Sequence, residues 1–468
     1  MLQKGTMDMD NHSNAYLGTE PIGKLLIRLA VPTVTAQIIN MLYNLVDRIY
    51  IGHLPENGDL ALTGLGVCMP IIMIVSAFSA FAASGGAPRA SIAMGQGDQE
   101  GANRLLGNCF TMQVCISLVL TTLLLLFNRP LLLAFGASEN TIAYASGYMR
   151  IYALGTISVQ LTLGMNAFIT AQGFTNVSMQ TVLIGALCNI VLDPILIFLL
   201  GMGVQGAALA TILSQSISMV WVLLFLCGRR SILRLQRKYM IPSVKTLVPC
   251  LTLGLSTFVM QASESAVSIC FNSSLLRYGG DVAVGSITIL TSVKQFAMLP
   301  MQGLSQGAMP ITSYNFGAGN KDRVRQSFFL LLRCILVYSM TLWALLMLFP
   351  TVFVRIFTNA PELVEFSARM LRVYVLVLGI FGAQMACQQT FVSIGNAKAS
   401  ITVAVLRKFI LLIPLIFILP HFFADKTLAV YMAEPVADFC SVVFTVVLFT
   451  FQFRKALAGM DARPAAQD

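Results

Sequence analysis

The sequence predicts an all-α integral membrane protein with twelve transmembrane helices in two six-helix lobes. Three observations support this prediction. The 468 residues are 57% hydrophobic and only 11% charged, whereas a soluble domain carries about 25% charged residues. Apolar stretches of about 20 residues, long enough to cross the hydrocarbon core, recur along the whole chain. An internal repeat divides these stretches into two equal sets.

The helix boundaries follow from hydropathy and from charged, Gly and Pro breaks between the apolar stretches. Six spans per half is an even number, so both halves enter the membrane from the same side. Such repeats are related by a pseudo-twofold axis along the membrane normal. Helices 1 to 6 are predicted at 24–51, 62–88, 105–127, 143–171, 177–200 and 206–227. Helices 7 to 12 are predicted at 246–275, 282–312, 326–349, 364–392, 399–420 and 428–452.

The repeat is visible as a single fixed offset without gaps. Matches of Gly, Pro, Arg and Tyr carry the argument, because matches of Leu or Val are expected by chance in a membrane protein. The same register also aligns loops with loops. We therefore expect the substrate path at the interface between the two lobes. The paired residues include Gly58/Gly280, Asp59/Asp281, Gly85/Gly307, Pro88/Pro310, Gly95/Gly317, Gly97/Gly319, Arg150/Arg372, Tyr152/Tyr374 and Gly173/Gly395.

The distribution of positive charge predicts the topology. The net charge is +10, and most Lys and Arg residues lie in the two tails and in every second loop. This is the positive-inside bias of a protein that crosses the membrane many times, with both termini in the cytoplasm. The predicted layout is a tail at 1–23, a lobe at 24–228, a basic linker at 229–245, a lobe at 246–453 and a tail at 454–468.

Several function classes lack the residues that they need. The basic charge is spread over loops facing the bilayer and does not indicate a nucleic-acid partner. No G-x-x-x-x-G-K-S/T phosphate loop is present, so ATP hydrolysis is not expected. The three His residues, His12, His53 and His421, lie in a tail or in loops, which disfavours a catalytic triad. The ten Cys have no metal-binding spacing. We therefore expect a transporter without a cofactor, not an enzyme.

Polar side chains inside the first lobe are candidates for an ion-coupling site, because ionisable residues within spans are costly and usually functional. Asn189 and Asp193 are four residues apart and share one face of helix 5. Thr211 in helix 6 and Asp47 in helix 1 are predicted at a similar depth. Carboxylate, amide and hydroxyl oxygens suit H⁺ or Na⁺. The alternative is a hydrogen-bond network that only holds helices 1, 5 and 6 together.

The second lobe contains further ionisable residues. Glu264 in helix 7 and Lys294 in helix 8 are expected at one level and predict an ion pair, either structural or coupling. Glu434 and Asp438 of helix 12 are expected near the outer surface. The repeat-related arginines, Arg150 and Arg372, either neutralise nearby acids or extend toward the interface.

Adaptable side chains predict a substrate cavity between the lobes. Met and Phe pack against ligands of varied shape, although ordinary helix packing also uses them. The cavity prediction includes Gln37 of helix 1 together with Met260, Met298, Met301, Met385, Phe258 and Phe296.

Six segments of the first half carry the motifs of a known transporter family. The segments are YNLVDRIYIG at 43–52, GGAPRAS at 85–91, MGQG at 94–97, AQGFTN at 171–176, NIVLDP at 189–194 and GAALAT at 206–211. The chain resembles the multidrug and toxic compound extrusion family, and in particular its MepA-like bacterial branch, over residues 24 to about 455.

The resemblance implies a V-shaped pair of lobes that exports cationic amphipathic drugs in exchange for H⁺ or Na⁺, acting as a monomer. The family's cation site in the first lobe corresponds to Asp47, Asn189, Asp193 and Thr211, with a backbone carbonyl at Ala207. Glu264 corresponds to the family's helix 7 acid. Some members have another carboxylate in helix 10, where this chain has GAQ at 382–384, so a cation site of that kind in the second lobe is not expected.

Two other transporter classes fit the sequence less well than drug antiport does. A flippase for a lipid-linked precursor, from the same superfamily, typically has fourteen helices and a basic central cavity, whereas this interior is comparatively acidic. A carrier of the major facilitator type requires a G-x-x-x-D-R-x-G-R-R motif after helix 2, and GQGDQE stands at 95–100. Drug antiport therefore remains the first hypothesis and the flippase the alternative.

Overall fold

The computed structural model describes residues 15–52, 54 and 58–461. Within this part of the chain the regular structure is helical, without strands. Nine helices are long and apolar enough to cross a membrane, and counting two bent helix pairs as one span each gives eleven. One of these helices, Val244–Gly317, has 74 residues, or roughly 110 Å, enough for two crossings. It is interrupted at Gly280 (φ 65°, ψ −161°), so the described residues contain the twelve predicted spans.

The observed bounds agree with the predicted helices in number and order. The first half consists of helix 1 at Ile22–Gly52, helix 2 at Gly58–Ala77 continued after a short turn by the π-helical segment Phe81–Gly86 and by Ala87–Gly95, helix 3 at Gln99–Leu126, helix 4 at Ile142–Leu154 and Thr156–Ala171, helix 5 at Thr175–Pro194 and helix 6 at Gly203–Cys227. The second half consists of helices 7 and 8 within Val244–Gly317, helix 9 at Lys321–Leu348, helix 10 at Pro361–Tyr374 and Leu378–Ser393, helix 11 at Ala397–Val405 and Ile413–Ile418, and helix 12 at Lys426–Asp461.

Some helix ends were predicted too early. Helix 2 was expected to end at 88 and helix 8 at 312, but they continue to Gly95 and Gly317. The hydropathy breaks mark where the apolar stretch ends, whereas the helix ends where the backbone reverses. That reversal occurs at Gly97 and Gly319, both with φ 77°, a conformation that glycine adopts without a Cβ penalty.

The duplication seen in the sequence is also present in the backbone. Short helices at Asn128–Ala134 and Pro350–Arg355 start at repeat-related positions. Helix 4 bends by 55° and helix 10 by 49° at equivalent points. The loops that follow them contain Gly173 (φ 89°) and Gly395 (φ 73°). The two halves therefore share their kinks and turns as well as their order of spans.

Close helix contacts join the two halves at the ends of helices 2 and 8. A Cβ built on Gly95 would overlap the Tyr314 carbonyl oxygen, and a Cβ built on Gly317 would overlap the Ile92 carbonyl oxygen. These contacts are repeat-related, because Ile92 and Tyr314 occupy the same register as Gly95 and Gly317. Small residues thus let the backbones approach, as in other membrane helix pairs. We call this contact region the seam.

Other contacts between the halves continue along the same end of the molecule. Gly85 packs against the Cys250 carbonyl of helix 7, and its repeat counterpart, Gly307, packs against Ala30 of helix 1. The Thr33 hydroxyl donates a 2.6 Å hydrogen bond to the Gly303 carbonyl. These contacts extend the seam from the helix ends into helices 1, 2, 7 and 8.

We expect Gly95→Ala and Gly317→Ala to loosen the seam equally, because each added methyl must push a facing backbone away. Overpacking of this kind costs about 1–3 kcal/mol, which makes local opening roughly tenfold more frequent. Hydrogen–deuterium exchange of the amides at 92–96 and 314–318 measures the effect. Gly66→Ala is the control, since no described atom outside its own helix turn lies within 4 Å of its Cβ. Equal exchange in all three variants would contradict the prediction.

Candidate functional site

The predicted cation site of the first half lies near the end of helix 5. Asn189 and Asp193 are buried, with 1% and 0% exposure. The Asn189 amide donates a 3.3 Å hydrogen bond to Asp193 Oδ1. Pro194 and the π-helical segment Ile195–Leu199 follow directly, and such a widened turn is frequent at functional sites. The i, i+4 spacing seen in the sequence thus becomes a direct contact.

Helix 1 brings a second carboxylate to this site. Asp47 lies close enough to Asp193 for their charges to repel, and its side chain is half-buried. Asp193 forms no ion pair with a Lys, Arg or His among the described residues. Its Oδ2 atom and the Asn189 Oδ1 atom are buried and accept no hydrogen bond from the described part of the protein. The site therefore combines two neighbouring carboxyl groups with two buried oxygens, Asp193 Oδ2 and Asn189 Oδ1, that can still accept a bond.

Thr211 and Ala207, the helix 6 residues of the predicted site, are hydrogen-bonded to each other near the end of helix 5. The Thr211 hydroxyl donates a 3.0 Å hydrogen bond to the Ala207 carbonyl one turn earlier. Gly206, beside Ala207, packs against the backbone of Leu196 in the π-helical segment. Helix 6 is therefore held against the end of helix 5, but Thr211 is satisfied within its own helix.

Three residues of this region were not predicted from the sequence. The Tyr43 hydroxyl lies beside Asp47, Asp193 and Gln215, and Tyr148 lies beside Asp47. Tyr43 precedes Asp47 by four residues and so shares its helix face. That spacing was available in the sequence, whereas the approach of Tyr148 and Gln215 from other helices was not. We define the N-half site as Asp47, Asn189, Asp193, Thr211 and Ala207, with these three residues around it.

The second half contains a compact cluster of buried charges. Lys294 Nζ lies 3.0 Å from Asp438 Oδ2 and also contacts Glu434 Oε1. Arg407 Nε lies 2.8 Å from Asp438 Oδ1, and its Nη2 atom lies 3.3 Å from Glu434 Oε1. Two cations and two anions thus neutralise one another. We call these four residues the charge cluster.

A separate ion pair lies beside the charge cluster. Lys408 Nζ is 2.7 Å from Glu264 Oε1. The predicted Glu264–Lys294 ion pair is therefore wrong, because each residue has a different first partner. The expectation that Glu434 and Asp438 lie near the outer surface is also wrong, since both contact Lys294, which lies roughly 20 Å along its helix from the break at Gly280. The prediction failed because it compared depths on helices that are adjacent in sequence, whereas helices 11 and 12 provide the actual partners.

Arg407 and Lys408 are the residues that sequence reasoning missed in the second half. Both are buried, with 5% and 2% exposure, in the π-helical segment Leu406–Leu412. Two adjacent basic residues within an apolar helix, opposite three acids elsewhere in the same half, were a usable signal. Charge balance alone would have required them as partners.

The remaining predicted residues have ordinary environments. Gln37 Nε2 donates a 3.1 Å hydrogen bond to Gln306 Oε1 across the two halves. Met260 and Met298 are half-buried, and Met298 packs against the second-half core. Arg150 is exposed, while Arg372 is exposed and donates to the Met347 carbonyl at 3.1 Å. Because the Arg372 guanidinium contacts a backbone carbonyl, it fits the alternative in which this arginine extends toward the membrane interface.

A family model, MatE, matches residues 32–195 and 256–418. These two matched segments correspond to the two halves and include most of the N-half site and Glu264. The chain belongs to the MatE family.

Curated and structural relatives agree with this family assignment. Multidrug export protein MepA of Staphylococcus haemolyticus is 24% identical over 408 residues, which is 87% of this chain and 89% of that protein. The protein of the same name from Staphylococcus aureus (strain NCTC 8325 / PS 47) has the same identity and coverage. The MepA-like resemblance seen in the sequence is thereby confirmed.

Solved MATE structures have the same fold. A MATE in the bent conformation has a TM-score of 0.89 at 22% identity and covers 96% of this chain and 99% of that one. An outward-facing multidrug resistance MATE transporter of the MOP superfamily has a TM-score of 0.88 at 22% identity, with 95% and 98% coverage. The prediction of a two-lobe, all-helical membrane fold is confirmed. The roles of individual residues remain predictions.

We expect Arg407→Met to destabilise the protein by about 3–5 kcal/mol, because it leaves two buried carboxylates with one cation. Unfolding of the purified protein in detergent, followed by helical circular dichroism, measures the change. Arg372→Met is the matched control, since it removes an exposed guanidinium. The explanation fails if both substitutions cost the same free energy.

Proposed function

We propose that this MatE protein exports cationic amphipathic compounds in exchange for H⁺ or Na⁺, with the coupling ion bound at the N-half site. The observation that carries the proposal is Asp193, a buried carboxylate near Asp47 without a compensating cation among the described residues. Burying a charged carboxylate within a membrane costs free energy unless it gains a proton or a metal ion. Binding of one cation lowers the repulsion between the two acids.

The donor atoms suit either coupling ion. Na⁺ prefers oxygen ligands, and Asp47, Asn189, Asp193, the Thr211 hydroxyl and the Ala207 carbonyl are all oxygen donors. H⁺ requires only one of the two carboxylates. One such charge moving inward through 100 mV supplies about 2.3 kcal/mol. Export of a monovalent cation against the same potential requires a second charge or a concentration gradient as well.

The contrast between the halves supports a single coupling site. In the second half the cations Lys294, Arg407 and Lys408 balance the acids Glu264, Glu434 and Asp438, so that each of these three acids has a cationic partner. A coupling ion would have to displace a Lys or Arg to bind in this half. In the first half it meets free acceptor oxygens instead. The flippase alternative calls for an excess of positive charge, and this neutral set does not supply one.

The seam suggests how access alternates. It joins the halves at the ends of helices 2 and 8, which the charge distribution assigns to the cytoplasmic side along with both termini. In this assignment the conformation described here is closed to the cytoplasm. A cation at the N-half site would favour one arrangement of the halves and substrate the other, within a monomer of two lobes at 24–228 and 246–453 in the bacterial cytoplasmic membrane.

We expect Asp193→Asn to reduce ethidium efflux to background, because the amide cannot take up the coupling charge. The assay uses pump-deficient bacteria at matched membrane levels, with an imposed pH gradient in one series and an imposed Na⁺ gradient in another. Asp281→Asn, an exposed residue, is the control. The gradient that drives wild-type efflux identifies the ion. Absence of wild-type efflux under both gradients would overturn the proposal and favour the flippase.

A further inference from the structure

The Lys408–Glu264 ion pair differs from the charge cluster in its exposure. Both acids of the charge cluster are enclosed, with side chains 4% exposed. The Glu264 side chain is 55% exposed, although the Lys408 side chain that holds it is only 3% exposed. Lys408 therefore reaches from the buried interior to an acid that solvent can also reach.

The exposed side of Glu264 faces space between helices and not lipid. Leu255 precedes Glu264 by nine residues, which places it on the opposite face of helix 7 at 100° per residue. Leu255 is 37% exposed, and Val248, near the same face, is 51% exposed. That apolar face suits lipid. A carboxylate directed away from it opens toward water-accessible space, where its charge is tolerated.

The position along helix 7 places Glu264 next to the contact between the halves. Phe258 packs against Phe78 and Phe81 of helix 2, with ring centroids 4.8 and 5.2 Å away. Glu264 lies six residues further along, or roughly 9 Å beyond this aromatic contact. It is therefore an acid about two helical turns beyond an aromatic contact between the halves.

The two neighbouring basic residues of helix 11 form ion pairs with different acids. Arg407 is shared by Asp438 and Glu434, whereas the described ion pair of Lys408 is with Glu264 alone. A ligand that binds Glu264 would therefore disturb one ion pair and leave the charge cluster intact. Arg407 and Lys294 still contribute positive charge around Glu264, which disfavours weakly held cations.

We infer that Lys408 is a resident cation at Glu264, which a cationic substrate must displace, and that Lys408 thereby determines which cations are accepted. This inference rests on the proposed function. Because the ammonium is tethered, it competes at a high effective concentration. Its displacement also leaves a buried charge without its partner. A small hydrophilic cation cannot offset that cost, whereas an aromatic cation gains apolar contact as well.

The test compares Lys408→Gln with Lys398→Gln in the full-length protein in lipid nanodiscs. Lys398 is an exposed lysine on the same helix, so both substitutions remove one positive charge. Fluorescence titrations with ethidium and with the uncharged probe N-phenyl-1-naphthylamine measure binding. We expect Lys408→Gln to bind ethidium on the order of tenfold more tightly than wild type, as for loss of a close charge pair. The uncharged probe and Lys398→Gln should show no change.

The possible outcomes separate this inference from the proposed function. If wild type exports ethidium but Lys408→Gln binds it no more tightly than Lys398→Gln does, the inference is wrong and the proposed function stands. If Lys408→Gln does not fold, Glu264→Gln/Lys408→Gln, which removes both charges, replaces it. That variant should lose its preference for ethidium over the uncharged probe, and a preference equal to that of wild type would overturn the inference.

Discussion

The cost of an uncompensated charge within apolar helices governs the organisation of this protein. The second half satisfies the constraint internally, since Lys294 and Arg407 bind Glu434 and Asp438, and Lys408 binds Glu264. The first half does not, because Asp193 is buried next to Asp47 without a described cation. Under the proposed function, this uncompensated carboxylate binds an ion from outside, and its burial cost becomes the means of coupling.

The two halves therefore share their backbone geometry but differ in their buried charged residues. Repeat-related bends, short helices and glycines recur in both halves. Arg407 and Lys408, by contrast, correspond in register to Gly185 and Ala186, and Asp193 corresponds to Leu415. In the proposed antiport, the shared backbone geometry allows the halves to move against each other, and their different buried residues bind the coupling ion in one half and the substrate in the other.

In the proposed transport cycle, the seam is a closure that forms without a buried ion pair between the halves. Glycines at 95 and 317 bring backbones into contact, so the closure depends on shape and on modest hydrogen bonds such as Thr33 to Gly303. Packing contacts of this kind are individually weak and are lost together when the helices separate. A closure held by several buried ion pairs would be harder to open, and the strong charge pairs lie within one half instead.

The sequence by itself determined the membrane class, the twelve spans, the duplication and the pairing of Asn189 with Asp193. These features depend on apolar length, on a fixed register and on the i, i+4 geometry of a single helix, which are local properties. Only the tertiary structure decided that Lys294 binds helix 12, that Glu264 binds Lys408 and that Tyr148 approaches Asp47. Those contacts depend on which helices are neighbours and how each is rotated, and a π-helical segment such as Leu406–Leu412 changes that rotation in a way that hydropathy does not reveal.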